Sequence, residues 1–541
     1  MTLPFLVILP LFGAFSMPIV SLLGKKLKEY WAVIISGATF AVAAKVFYTV
    51  WRNNEILLYT LGSDNPIGRG VNFPIRIVWE VDLFGALLAL TITFVGFLAI
   101  VYSLGYMKHD TGLEKYYTLV LVLELGMLGI VITGDIFNFY VFLEIMSIAS
   151  YALVAFRNDT WEGIEAGIKY MFVGSLASSF ILLGIALLYG QYGTLTMSYL
   201  AIKIAENPTL VAKVALAFLI GGLLFKSGAV PVHMWLADAH PAAPSSISAM
   251  LDAHPAAPSS ISAMLSGLVI KAGGVYAIAR IIFSIFNPGL HTYLRTFNAP
   301  AINMDVIGWV IVFFACLTLL VGNAMAVVQT DMKRLFAFSS VGQIGYILLG
   351  IGIGVLAYGT RAGELALAGA IYHIVNHALI KALLFLVAGV VIHEAGTKNL
   401  NELSGLAKRM PLTTFFFIIG AAAIIGLPPL NGFASKWIIY ESSAMYNPIL
   451  AAIAVVGTVF SLAAYTKVLF TFLGKESERV RGSKEPEKSM LLPMLILVVA
   501  IIVMGLFPWQ ISDKIMIPAA KMLEQLNGEY ILALLKFIGG A

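Results

Sequence analysis

The chain has 541 residues, 60% of them hydrophobic and only 12% charged, with a net charge of +5 and a mean hydropathy of +0.91. A soluble domain carries about twice that charged fraction, so the composition excludes an ordinary soluble enzyme, and a small dispersed charge excludes a nucleic-acid-binding block. The single cysteine, Cys316, excludes an internal disulfide framework and any all-cysteine iron–sulfur cluster held by this chain alone.

Apolar stretches of about 20 residues recur along the whole length, each long enough to cross a bilayer. A bilayer offers no water to backbone groups, so these stretches are predicted to be helices, and the class is an all-α polytopic membrane protein. No alternating barrel pattern is evident. The spacing predicts 14 spans, near 3–23, 29–50, 82–105, 116–133, 136–156, 166–189, 210–240, 256–284, 305–328, 335–357, 365–393, 412–446, 449–473 and 490–509. The first holds Pro4, Pro10 and Pro18 and lacks a basic leader, so it reads as a spanning helix rather than a cleaved signal.

The seventh and twelfth spans are too long and too interrupted to be simple helices. Gly228 and Pro231 follow Lys226 in the seventh, and Pro428, Pro429 and Gly432 precede Lys436 in the twelfth. Proline removes a donor and clashes with the preceding turn, so each is predicted to form two half-helices with exposed backbone between them. With the N-terminus placed outside, most loop lysines and arginines fall on the inner side, as the positive-inside rule requires. The tail from about 511 to 541 is amphipathic in parts and suits the interface or a neighbouring subunit.

Residues 238–251 (DAHPAAPSSISAML) recur unchanged at 252–265. The plain reading is a lengthened loop, which costs little entropy. The sharper one is that the doubled His240 and His254 extend a proton uptake path at the inner surface.

Several ionisable residues fall inside the predicted spans: Glu124, Glu144, Lys226, Lys271, Lys381, Lys436 and Lys467. A charge at a helix centre costs about 2.5–3.5 kcal/mol, so these groups must face the bundle interior, pair, or line water. Lys467 lies near a span end and is expected to snorkel. The other lysines lie deeper and outnumber the buried carboxylates, so pairing cannot neutralise them all. Burial disfavours an ammonium and a neighbouring carboxylate favours it. Moving Glu144 towards or away from Lys226 is therefore expected to load or release a proton.

His373, His377 and Lys381 are spaced four apart and share one helix face. An HxxxH pair can bind zinc, but no third ligand is evident, and two imidazoles leading to a lysine suit a proton wire. The plain alternative is a pair of core histidines bonded to backbone. His233 and His393 sit near helix ends and are weaker candidates, and Glu124 is either a relay carboxylate or a contact for a neighbour. Asp135, Asp331, Lys333 and Arg334 fall at span edges, where contact with solvent or headgroups is expected. Lysine cannot coordinate Na⁺, so the lysine row reads as a proton path, and the chain shows no nucleotide-binding or nucleophile motif.

The segments GDIFNFYVFLEIMSIASYAL (134–153), LLFKSGAVPVHMWLADAHPAAPSSISAML (223–251), DMKRLFAFSSVGQIGY (331–346), HIVNHALIKALLFLVAGVVIH (373–393) and GLPPLNGFASKW (426–437) resemble the antiporter-like subunits of complex I, Mrp cation/proton antiporters and membrane-bound hydrogenases. The resemblance covers roughly 80–480. It implies 14 core helices with two inverted five-helix repeats, each containing a broken helix. The expected organisation is then 1–115 for the N-terminal helices, 116–284 and 305–473 for the repeats, and 490–541 for the last span and tail.

By motif, Glu144 and Lys226 look like the family's glutamate–lysine pair. Lys271 looks like the connecting residue of the eighth helix, Lys381 like the central lysine of the eleventh, and Lys436 like the exit-side residue of the twelfth. A lysine at that last position points to the Mrp D-type subunit and its hydrogenase relatives. Gln343 stands where some relatives carry histidine, and the tandem duplication is not a family feature.

The resemblance implies a non-catalytic, proton-translocating subunit of a multisubunit complex in a prokaryotic inner membrane. That complex is either redox-driven, of hydrogenase or complex I type, or a non-redox Mrp Na⁺/H⁺ antiporter; a purely structural subunit is the third reading. No cofactor is expected in this chain. Iron–sulfur clusters, with nickel–iron in a hydrogenase, are expected in partner subunits, beside other antiporter-like membrane subunits and peripheral electron-transfer subunits.

Overall fold

The structure, a computed structural model, describes residues 2–24, 26–61, 77–108, 110–157, 161–239, 259–288 and 302–524. Helices α1 (Phe5–Leu23) and α2 (Leu27–Asn53) lead into a short antiparallel hairpin, β1 (Leu57–Leu61) with β2 (Ile77–Val81), paired from Leu57–Val81 to Leu61–Ile77. The sequence reading did not include this hairpin. Its strands are short and rich in Val, Ile, Tyr and Trp, which suits a half-buried pleated surface.

The spans α3 (Leu83–Tyr106), α4 (Leu113–Ile132), α5 (Ile136–Val154) and α6 (Trp161–Tyr192) follow, then the short α7 (Met197–Glu206). The seventh span is two helices, α8 (Leu210–Ser227) and α9 (Met234–Ala239), and the eighth is α10 (Ser259–Ile285). Next come α11 (Met304–Val328), α12 (Met332–Leu356) and α13 (Arg361–Ala395). The twelfth span divides into α14 (Pro411–Ile425) and α15 (Asn431–Tyr446), and α16 (Pro448–Leu473) and α17 (Lys488–Leu506) close the bundle. Among the described residues, 13 helices are long and apolar enough to cross a membrane, and the divided twelfth span brings the count to the expected fourteen.

Burial ranks the helices. The apolar windows of α10 and α12 are 94% buried and that of α13 is 100% buried, against 33% for α1, α2 and α16. The outer helices turn their remaining apolar faces, such as Phe12, Phe15, Phe313 and Phe470, outward as a lipid-facing surface must. The 35 residues of α13 would extend about 50 Å, well beyond a hydrocarbon core of about 30 Å, and this axial helix carries the His373–His377–Lys381 face.

The two inverted repeats are visible in hydrogen bonds. At the start of α5, Ile136 N donates to Leu195 O and Met197 N to Gly134 O, while Asp135 caps the helix through the amides of Phe137 and Asn138. At the start of α12, Met332 N donates to Lys398 O and Leu400 N to Thr330 O, while Asp331 caps through the amide of Arg334. The same device thus recurs five spans later, and since successive spans alternate in direction, it recurs at the opposite face. Asp135 and Asp331 are consequently structural caps, as well as span-edge residues.

The two breaks match as well. α8 ends at Gly228 (φ 71°) and α14 at Gly426 (φ 94°), left-handed positions that a side chain rarely adopts. Ala229 N donates to Leu224 O after the first, and Leu427 N to Ala422 O after the second. Each break contains a cis proline, Pro231 and Pro429 respectively. Gly432 sits against the carbonyl of Ala423 so closely that no Cβ fits.

The described part of the tail packs against its own chain. From Pro508 to residue 524 it is helical, burying Met516, Ala519, Ala520 and Leu523. Trp51 Nε1 donates to Lys514 O at 2.9 Å, and Asn287 and Tyr358 donate to Glu524 O.

The Glu524 carboxyl is pushed up to about 7 from its ordinary 4.5, first by burial and then by Glu364, with Lys521 opposing. A raised carboxyl leaves docking unpenalised below 4.5, weakens it between 4.5 and about 7, and leaves it constant above. Hydrogen exchange of 508–524, corrected for intrinsic rates, should rise across that window and become flat in Glu524→Gln.

Candidate functional site

The first ionisable cluster lies where α5, α6 and α8 meet. Glu144, Ser147 and Tyr151 share one face of α5 at helical spacing. Lys226 Nζ donates to Ser147 Oγ at 2.7 Å and to Tyr151 OH at 3.2 Å, and stands 3.9 Å from Glu144 Oε1. Ser178 of α6 donates to the Glu144 carboxylate from the other side. The lysine thus rests on neutral hydroxyls with its carboxylate at the limit of direct contact, so a small shift makes or breaks the ion pair. Glu144 keeps 28% of its side chain exposed where Lys226 keeps 6%. Gly274 of α10 packs against Ser227, the residue after Lys226, which seats α10 directly on the end of α8.

α10 is where a single α-helix was expected, and it contains π-helical turns at Leu265–Val269, Lys271–Tyr276 and Ile281–Ile285. Such wider turns recur at functional sites. Lys271 is fully buried, and its Nζ folds back to donate to Ser266 O at 2.5 Å. Gly267 faces the carbonyl of Ala378, so α10 and α13 approach closely beside Lys271 and His377.

On α13 the two histidines differ. His373 Nε2 lies 3.1 Å from Gln343 Oε1 and Nδ1 lies 3.0 Å from Ser435 Oγ. Gln343 Nε2 in turn donates to Ser461, so its amide oxygen is the group facing His373, and that assigns the ring proton to Nε2. His377 is fully buried with neither ring nitrogen bonded to a protein atom among the described residues. Buried polar groups find partners as a rule. His373 is held at both ends, whereas His377 meets no hydrogen-bond partner among the described residues.

Lys381, one turn on, donates to Phe336 O at 2.8 Å and Tyr465 OH at 3.0 Å, and Tyr465 donates to Ser339. Lys436 donates to Ile424 O and Ile425 O at 2.8 and 3.2 Å, the last carbonyls of α14, and lies 4.7 Å over the Tyr346 ring. The negative end of a helix suits a cation. Among the described residues, none of Lys271, Lys381 and Lys436 forms an ion pair with a carboxylate.

The remaining candidates stand apart. His233 lies in the first break with its ring 6.0 Å from Phe338. Glu124 is fully buried among α2, α3 and α4, with Ser36 Oγ at 3.3 Å and Gly96 against its carboxyl, so its own chain covers it. His393 is half-exposed and meets Glu394 at 3.1 Å. Lys467 reaches the end of α11, donating to Val327 O and Gln329 O at 2.6 and 2.5 Å. His240 and His254, with most of the tandem duplication, lie outside the described residues. Among the described residues, no group of three or more His, Cys, Asp or Glu side chains could hold a metal ion.

Sequence reasoning missed three buried cations. Lys333, expected at a solvated edge, is fully buried, because α12 begins at Met332 rather than near 335 and its first turn is already enclosed. Arg157 pairs bidentately with Asp110 at 3.0 and 2.8 Å. Arg280 pairs bidentately with Asp82 at 2.9 and 2.7 Å, and Tyr276, four residues earlier on α10, also meets the guanidinium. An arginine inside an apolar run was the available signal for the last pair. Removing one partner of such a buried pair strands the other, at about 3–5 kcal/mol. Arg280→Ala should therefore lower the thermal midpoint in detergent sharply, and Asp82→Leu with Arg280→Met should recover most of the loss.

With this geometry in place, the similarities of the chain are decisive. The NADH:quinone oxidoreductase/Mrp antiporter transmembrane family matches residues 133–253 and 250–461. The chain belongs to this family. The N-terminal region of complex I chain 5 matches 70–117 as well. The two long matches overlap at 250–253, inside the tandem repeat.

The chain is 33% identical to the N-type subunit of the NADH-quinone oxidoreductase of Desulforudis audaxviator, over 94% of its own length and 96% of that protein. It is 30% identical to the D-type subunit of the Na⁺/H⁺ antiporter of Alkalihalophilus pseudofirmus, over 82% and 85% respectively. Among solved structures it resembles a chain of the archaeal membrane-bound sulfane sulfur reductase (TM-score 0.84, 31% identity, 98% of this chain and 99% of that one). It also resembles a chain of the Mrp complex from Dietzia sp. DQ12-45-1b (TM-score 0.80, 26% identity, 98% and 99%). The antiporter-like fold of this family is thus the fold of this chain.

Proposed function

We propose that this chain is the proton-translocating membrane subunit of a redox-driven respiratory complex, of hydrogenase or complex I type, in a prokaryotic inner membrane with its N-terminus outside. The observation that carries the reading is the run of buried Lys226, Lys271, His377, Lys381 and Lys436, three of whose lysines are bonded to carbonyls and hydroxyls without a carboxylate. Such charges are costly in a bilayer. Ammonium groups held by carbonyls and hydroxyls rather than carboxylates, with an imidazole among them, are what a proton relay needs. Glu144 sets the charge on Lys226 by its distance, which makes that pair the loading switch. The similarity to a quinone oxidoreductase component and a sulfur reductase chain, over nearly the full length of each, favours the redox-driven complex. Iron–sulfur clusters and electron-transfer subunits then belong to its partners.

A second reading, the D-type subunit of an Mrp antiporter, is favoured by the similarity to the D-type antiporter protein of Alkalihalophilus pseudofirmus and by Lys436. Purification from native membranes in mild detergent, with iron and nickel analysis, separates the two. Stoichiometric iron with cluster-bearing partners supports the redox complex, and nickel a hydrogenase. Small hydrophobic partners without metal turn the assignment to Mrp. In proteoliposomes of the intact complex, Lys226→Ala and Glu144→Ala should each cut proton flux at least about tenfold. Wild-type flux in both would leave the chain a scaffold.

A further inference from the structure

Lys271 belongs to the first repeat and Lys381 to the second, so a proton route using both must cross from α10 to the α12–α13 side. Two serines stand at that crossing. Ser266 of α10 and Ser340 of α12 are fully buried, and their hydroxyl oxygens are 2.5 Å apart. Ser340 Oγ donates to Phe336 O at 2.9 Å, so the hydrogen between the serines comes from Ser266.

Both lysines are anchored on this same unit. Lys271 Nζ rests on the carbonyl of Ser266 itself, and Lys381 Nζ rests on Phe336 O, the oxygen that Ser340 also uses. One residue thus supplies both the carbonyl that holds the Lys271 ammonium and the hydroxyl that meets Ser340. On the far side, Ser340 and Lys381 are already neighbours through their shared acceptor.

We propose that the Ser266–Ser340 hydroxyl pair is the proton crossing between the two repeats. This rests on the proton-translocating reading above. A hydroxyl both donates and accepts, whereas a carbonyl only accepts. The Lys271 ammonium gives a proton to Ser266 Oγ, Ser266 gives its own hydrogen to Ser340 Oγ, and Ser340 gives its own to the Lys381 amine. Lys271 ends as an amine and Lys381 as an ammonium, and each serine keeps one hydrogen. In the resting orientation Ser266 already donates to Ser340, and Ser340 must turn its hydrogen from Phe336 O to the Lys381 amine for the last transfer. Both hydroxyls must rotate back before a second transfer.

His377 is the competing bridge, since it too lies beside both lysines. The test uses proteoliposomes of the intact complex with an entrapped pH dye. They are driven by reduced methyl viologen or by an imposed Na⁺ gradient, according to the complex that metal analysis identifies. Ser266→Ala and Ser340→Ala should assemble normally and lose flux at least about tenfold, and Ser340→Thr, which keeps the hydroxyl, should recover it. Ser262→Ala, a buried serine on the same helix without a partner among the described residues, should retain wild-type flux. Equal loss in Ser262→Ala would make the effect one of packing and overturn the proposal. Wild-type flux in both alanine variants, with flux lost in His377→Gln and Lys381→Ala, would move the crossing to His377. Wild-type flux in Lys381→Ala would instead fail the proton-translocating reading itself.

Discussion

A bilayer interior supplies no water to a buried cation, so each deep lysine of this chain must find oxygen atoms within the protein. Three of them find backbone carbonyls. Lys436 takes the last carbonyls of α14, which the helix break leaves without intrahelical partners. Lys271 takes Ser266 O inside a π-helical stretch, and Lys381 takes Phe336 O. For Lys271 and Lys436, helix irregularities therefore explain where charge is tolerated, whereas Lys381 takes a carbonyl within the regular α12. The breaks and wide turns are the places where an otherwise hydrocarbon-like bundle exposes acceptors.

The buried arginines follow the opposite logic. Arg280 and Arg157 are each clamped bidentately by a carboxylate, Asp82 and Asp110. A planar guanidinium fork gives a fixed geometry and does not surrender its proton, which suits a bolt between helices. A lysine held by hydroxyls and carbonyls can lose its proton and change partners. The chain thus uses arginine where charge must stay and lysine along the proposed path.

The repeated hydrogen-bond device at Asp135 and Asp331, and the matched ends at Gly228 and Gly426, give the two halves a common construction on opposite faces. Their ionisable residues differ. The first break follows Lys226 on α8, whereas the second precedes Lys436 on α15. Equivalent backbone openings therefore present their cations from opposite sides.

The sequence alone determined the class, the spans and the two broken helices, because hydropathy runs, Gly–Pro interruptions and charges inside apolar stretches are local signals that a bilayer makes strict. It also singled out Glu144, Lys226, Lys271, His373, His377, Lys381 and Lys436, since an ionisable residue at membrane depth is conspicuous whatever surrounds it. Only the tertiary structure decided which of these groups touch. That His373 is locked by Gln343 and Ser435 while His377 is not, that Asp82 meets Arg280 across 198 positions of chain, and that two unremarkable serines stand between two lysines all depend on helix rotation and close approach. Serine is common in apolar helices and bonds its own backbone there, so its spacing carries no signal until a second helix brings another hydroxyl within reach.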